Sequence, residues 1–308
     1  MTPATIRTLV TPIDGSELSE RALPLAEELA SRLEASMLLL SVPRPSGASL
    51  AAISEPEANL ASATPDVSAD ARDRALSYLA QRAGALRRSR PGVPIDTLVH
   101  DDHEPARAIA LTADSVPDGM IVMGFHGRRG LSRWLFGSVA ETVLTETRRP
   151  LLLVPAESAY VPKRIARILV GLDGSEEAEA VLPYVSAIAR ANLSRVLLVH
   201  VEPHFRSLSR WRRDQEDKNA ATSYRAWIGD KLNGTARAMQ AQGVMAQAVT
   251  VPDGDVAEIL IAEADRDAID LIALTTHGGG ESTKWIMGDV CTRVARHAGC
   301  PVLLLPNK

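Results

Sequence analysis

The sequence predicts an α/β chain made of two tandem, doubly wound, five-stranded parallel sheets. Two observations predict that class, and a third places its ligand crevice. Short aliphatic runs alternate with longer amphipathic stretches, the pattern of βαβ units. The second half repeats the first: Ile6–Ser16 (IRTLVTPIDGS) matches Ile165–Ser175 (IARILVGLDGS), and Pro150–Pro155 matches Pro301–Pro306. Between Gly119 and Thr147, an apolar run leads through a glycine-rich turn into a helical segment.

The bulk properties bound the function before any motif is read. At 308 residues the chain can form two domains of ordinary size, expected at 1–155 and 165–308. Contents of 45% hydrophobic and 23% charged residues are those of a soluble globular protein. A net charge of -4 offers no general attraction to nucleic acid or to acidic membranes, so neither is expected as a partner. The basic stretches 82–90 and 206–213 are short and are balanced by acids elsewhere. The N-terminal residues lack a signal-peptide apolar region, and no apolar run is long enough to span a bilayer. Two cysteines, Cys291 and Cys300, are too few for a disulfide framework, so a reducing cytoplasm is expected. With aromatics at 4%, the cores must be aliphatic.

In order, strands are expected near 6–13, 36–42, 94–100, 119–124 and 150–154, with helices near 17–33, 67–89, 105–115 and 138–148. The second half repeats the strands near 165–172, 195–201, 246–251, 270–275 and 301–305. Pro24 and Pro183 fall inside expected helices, where each predicts a kink. The stretch 43–65, rich in Pro, Ala and Ser, reads as a mobile loop above the crevice, and 203–219 as a charged loop leading into a helix. The linker 156–164 is short. Right-handed crossovers give a doubly wound sheet whose crevice lies at the carboxyl ends of its strands.

The residues of that crevice carry the chemistry. Met120–Met123 reads as a strand buried on both faces. Gly124 and Gly127 follow, then nine residues from Arg128 to Phe136, then Gly137-Ser138 opening a helix. Glycine at 124 and 127 lets a ligand approach the backbone. Free amides at Gly137, Ser138 and Val139, with the Ser138 hydroxyl, favour an anion at a helix N-terminus. Arg128 and Arg129 can neutralise phosphate charge or remain solvated. His126 recurs as His277, which suits a turn role as well as a ligand contact. Asp14, at the end of the first strand, can accept hydrogen bonds from a ligand in the crevice, or can cap the next helix.

Gly-x2-Gly-x9-Gly-Ser resembles the nucleotide-binding signature of the universal stress protein family, in its ATP-binding branch. The resemblance covers both halves and implies strand order 3-2-1-4-5, with ATP at the strand ends. It places Pro12, Ile13 and Asp14 near the nucleoside, Val42 at the adenine and Met123 beside the phosphate turn. It also implies pairing through the fifth strand. In an open sheet that strand is a bare aliphatic edge, so two repeats in one chain can cover each other's. A further homodimer and an unidentified signalling partner remain open.

The second half departs from the motif. Gly124 is answered by Thr275, Pro12 by Gly171 and Ser138 by Asp289, whose carboxylate suits a helix start but repels a phosphate. One competent site and one degenerate site follow. His100–Glu104 (HDDHE) is rich in metal-ligand residue types, but adjacent residues point in different directions, so no resident metal is expected. Magnesium would arrive with ATP, through oxygen ligands and water. No Ser-His-Asp, Cys-His or paired-carboxylate arrangement is legible, so no catalytic residue is assigned. The resemblance implies an ATP-binding sensor or regulator of the stress response. A slow ATPase or nucleotidyl transferase on the same fold, or a nucleotide-free regulatory scaffold, stays open.

Overall fold

The computed structural model describes residues 3–43, 69–101, 104–125, 138–155, 162–202, 214–252, 254–276 and 288–307. The first half runs β1 (Thr8–Pro12), α1 (Glu17–Glu20), α2 (Leu23–Leu33), β2 (Ser36–Ser41), α3 (Ala69–Ser89), β3 (Ile95–Val99), α4 (Pro105–Ser115), β4 (Gly119–Phe125), α5 (Ser138–Glu146) and β5 (Leu151–Pro155). The second runs β6 (Arg167–Gly171), α6 (Glu176–Glu179), α7 (Leu182–Asn192), β7 (Arg195–Val201), α8 (Asp214–Gln240), β8 (Met245–Val251), α9 (Val256–Arg266), β9 (Leu271–Thr275), α10 (Asp289–His297) and β10 (Val302–Leu305).

All ten strands join one sheet, ordered β3-β2-β1-β4-β5-β10-β9-β6-β7-β8. Each half is parallel in the order 3-2-1-4-5, and the halves meet where β5 and β10 pair antiparallel. At that seam Leu151, Leu152 and Leu153 lie opposite Leu304, Leu303 and Val302, all fully buried. The uncharged edges expected from the sequence thus cover one another, and the hazard of a bare apolar edge is removed.

One aliphatic core lies on each face of the sheet, and each runs across the seam. Leu152 and Leu303 belong to the core under α2, α3, α7 and α8; Leu151, Leu153, Val302 and Leu304 belong to the other, under α4, α5, α9 and α10. Alternate residues of a strand face opposite sides, so both faces of these central strands must be apolar. Helices α2 and α7 also pack on each other across the seam, and the Ala4 amide donates to the Pro183 carbonyl at 3.0 Å.

Three sequence expectations need correction. The helix expected over 17–33 is two helices, α1 and α2, and its second-half counterpart divides in the same way into α6 and α7. Pro24 and Pro183 therefore kink nothing. Each is the second residue of a new helix, where the missing N–H has no intrahelical partner to lose. The charged segment read as loop to Asn219 is helical from Asp214. The expected loop at 43–65 lies outside the described residues except at Pro43.

Candidate functional site

At the carboxyl end of β1 the chain turns sharply through Gly15, whose φ of 84° suits glycine. Ser16 then caps α1, its hydroxyl accepting from the Ser19 amide at 3.2 Å. Asp14 is therefore not the cap. Its carboxylate accepts from the Ser16 amide at 3.0 Å and the Ser16 hydroxyl at 2.6 Å, while its own amide donates to Ser19 Oγ at 3.2 Å. Partial burial pushes the Asp14 carboxyl upward, but hydrogen bonds from Ser16 and Ser19 outweigh that and hold it below its ordinary 3.8. The group is ionised at neutral pH and fixed at the rim of the crevice.

That shift has a testable sign. A carboxyl whose folded pKa is depressed adds stability above its unfolded value and loses it as pH falls through the folded midpoint. The Asp14 contribution is thus complete above pH 3.8 and disappears below it. Carboxyl-carbon NMR of the folded protein should give Asp14 a midpoint under 3.8 that rises in Ser16→Ala. A midpoint above 3.8 would remove the serine clamp from the site.

Eight of the thirteen residues singled out in the sequence line one cleft of about 570 Å³: Pro12, Ile13, Asp14, Val42, Met123, Gly124, Ser138 and Val139. They come from the ends of β1, β2 and β4 and from the start of α5, so the strand ends and one helix N-terminus converge. Leu40, Ile109 and Phe125 add apolar wall, and Ser138 is exposed at the cleft. The volume is that of a small-molecule pocket. His126, Gly127, Arg128, Arg129 and Gly137 lie outside the described residues.

Sequence reasoning missed the Ser16–Ser19 turn and the α4 residues Pro105 and Ile109, which also line the cleft. A signal for α4 was present. It is the helix that follows β3, and helices starting at strand carboxyl ends border the crevice. Gly124, which lines the cleft, meets a second demand as well: a Cβ there would stand 2.1 Å from the Leu18 carbonyl oxygen, so the missing side chain also makes room for α1.

The second half has a counterpart cleft of about 340 Å³. Its turn is rebuilt faithfully: Asp173 accepts from the Ser175 amide at 2.9 Å and the Ser175 hydroxyl at 2.5 Å, and Ser175 caps α6. Beyond the turn the two clefts diverge. Gly171 stands where the first half has Pro12, and the side chains of Leu274 and Leu260 crowd the space above it. Asp289, the first residue of α10, is exposed, with the Arg293 guanidinium 3.8 Å away. That arginine is also claimed by Asp255 at 2.5 Å and Glu258 at 3.4 Å, so the helix start keeps an acidic surround.

Cys291 lines this second cleft, but its thiol donates to the Thr275 carbonyl at 2.8 Å, and burial with Asp173 nearby pushes its pKa up to about 12. Such a thiol stays protonated and is no nucleophile. In the run His100–Glu104, Asp101 forms an ion pair with Arg72, while Asp102 and His103 lie outside the described residues. Among the described residues no grouping of His, Cys, Asp and Glu could hold a metal ion, and no helix is long and apolar enough to cross a membrane.

Comparison with known proteins bears on both halves. The model of the universal stress protein family matches residues 5–155 and again 164–306. A universal stress protein of Thermus aquaticus is 28% identical over 147 residues, covering 45% of this chain and 96% of that relative. One of Mycobacterium tuberculosis H37Rv is 31% identical over 193 residues, covering 60% of this chain and 61% of the relative. Among solved structures, a universal stress protein of Archaeoglobus fulgidus covers 98% of both chains with a TM-score of 0.69 at 18% identity. A functionally unknown protein of Pseudomonas aeruginosa PAO1 covers 97% of this chain and 92% of its own, with a TM-score of 0.60 at 15% identity. At those identities the structural likeness shows the fold. The family match spans nearly the whole chain in two copies, and the chain belongs to the universal stress protein family.

Proposed function

We propose that this chain is an ATP-binding regulator of the stress response that holds one adenine nucleotide, with Mg²⁺, in its N-terminal cleft. The observation that carries the reading is the convergence of Asp14, Val42, Met123 and Ser138, from four separate elements, on one cleft at the carboxyl ends of the strands. Pro12, Ile13, Val42 and Met123 offer an apolar slot for a base, and the Asp14 carboxylate is an acceptor for a ribose hydroxyl or an exocyclic amine. The start of α5 supplies amides and the Ser138 hydroxyl to the phosphates. Gly127, Arg128, Arg129 and Gly137, with His126, complete the phosphate loop in this proposal. The nucleotide brings Mg²⁺, held by phosphate oxygens and water. The C-terminal cleft, smaller and acidic at its helix start, is left without a phosphate.

Nucleotide content tests this directly. Purified protein is denatured and the released adenine nucleotides are chromatographed, then nucleotide-free protein is titrated with Mg-ATP by calorimetry. ATP at one equivalent per chain is expected. ADP in its place would move the reading to a hydrolase. No nucleotide together with no binding heat would sink it in favour of a scaffold.

A further inference from the structure

At the opposite end of the second half, the amino ends of β6, β7 and β8 frame a cavity of about 790 Å³. Arg167 of β6 and Arg195 of β7 are partners in the parallel register, and Arg195 is in turn opposite Met245 of β8. Residues paired in register share a face, so the Arg167 and Arg195 side chains leave neighbouring strands on one face, with Met245 on the next strand, and all three line the cavity. Like charges placed opposite one another on a sheet destabilise it. Arg167 donates to the Asp267 backbone carbonyl at 2.5 Å, and the Arg195 guanidinium has no hydrogen-bond or ion-pair partner among the described residues, whereas its backbone amide is engaged with the Ala166 carbonyl. The carboxylate at the cavity, that of Asp267, has Arg266 as its partner at 3.5 Å.

The repeat supplies an internal control. In the first half the corresponding register pair is Thr8 and Ser36, whose hydroxyls are 3.3 Å apart in a hydrogen bond. The equivalence is set by the backbone: the Ser36 amide donates to the Arg7 carbonyl, as the Arg195 amide does to that of Ala166. The same fold position is thus filled by a neutral, self-satisfied pair in one copy. In the other it holds two adjacent cations over a cavity.

We infer that this cavity binds a small organic oligoanion, with neighbouring oxyanionic groups held by Arg167 and Arg195 and an apolar part against Met245 and Ile269. Guanidinium forks match phosphate and carboxylate oxygens in pairs, and a bound anion removes the repulsion between the two side chains. The exposed Met245 and the buried Ile269 give the apolar wall. The site stands independently of the nucleotide reading, since it lies at the other end of the strands.

The test follows amide NMR signals of Gly243 and Met245 in the full chain while pyrophosphate, citrate or chloride is added at matched ionic strength. The comparison variant is Arg167→Thr with Arg195→Ser, which imports the residues that the first half uses at this position. Saturable shifts with pyrophosphate or citrate, absent with chloride and at least tenfold weaker in the variant, are expected. Pyrophosphate alone would assign a phosphate ester, and citrate alone a polycarboxylate. Should the double variant fail to fold, Arg195→Ser is compared with Arg195→Lys, and only the lysine is expected to keep part of the binding. No saturable shift, or equal shifts in wild type and variant, would overturn the assignment.

Discussion

Replacing Ser138 by aspartate is expected to weaken Mg-ATP binding by two decades or more while leaving the fold intact. The second half motivates the change, because Asp289 occupies the matching place at the start of α10. A carboxylate about 4 Å from a phosphate oxygen, at an effective dielectric near 20, costs roughly 4 kcal/mol. That is nearly three decades of affinity, and the exposure of Ser138 argues for taking the lower part of the range. The same aspartate suits the positive end of a helix, so the melting temperature should hold or rise slightly. Affinity and stability therefore move in different directions, which separates loss of a phosphate site from general damage. Calorimetric titration of Ser138→Asp and of Asp289→Ser decides the matter. Equal losses in both variants would contradict a single competent cleft.

How much of this was legible beforehand differs between backbone and contacts. Strand positions were readable because each strand is a short aliphatic run bounded by turn residues, as at Met120–Met123 and Leu151–Val154. The seam was readable too, since β5 and β10 are edges that cannot stay bare. Cleft residues at strand ends, such as Asp14 and Val42, followed from topology and family likeness together. What stayed hidden depends on which segments touch. The division at residues 21–22 follows from a serine cap followed by a proline-led helix, a local pattern that helical periodicity alone overrode. The demand at Gly124 comes from α1, far away in sequence, and the Arg167–Arg195 pair exists only once the register is known. Periodicity reports which face is buried. It does not report what lies on that face.

The contact at Gly124 supports a second large effect. In Gly124→Ala the new methyl would begin 2.1 Å from the Leu18 carbonyl oxygen and 3.0 Å from its carbon, both of them backbone atoms of α1. A flexible side-chain end could swing aside, but a helix can yield only by moving as a unit. Overpacking of this kind costs about 1–3 kcal/mol. For a chain of this size that lowers the melting temperature by roughly 2 °C per kcal/mol. Helix α1 carries Ser16, Glu17, Leu18 and Ser19 into the cleft, and Ser16 and Ser19 hold the Asp14 carboxylate, so its displacement should also weaken nucleotide binding. The second half accommodates Thr275 at the matching strand position beside α6, so that copy already has the room that the first lacks. Thr275→Gly should accordingly bring no gain in stability, and it should leave Mg-ATP affinity unchanged. Thermal unfolding and nucleotide titration of the two variants test the asymmetry. A Gly124→Ala protein as stable as the parent would mean that α1 is loosely seated and that the contact with Leu18 sets no limit at this position.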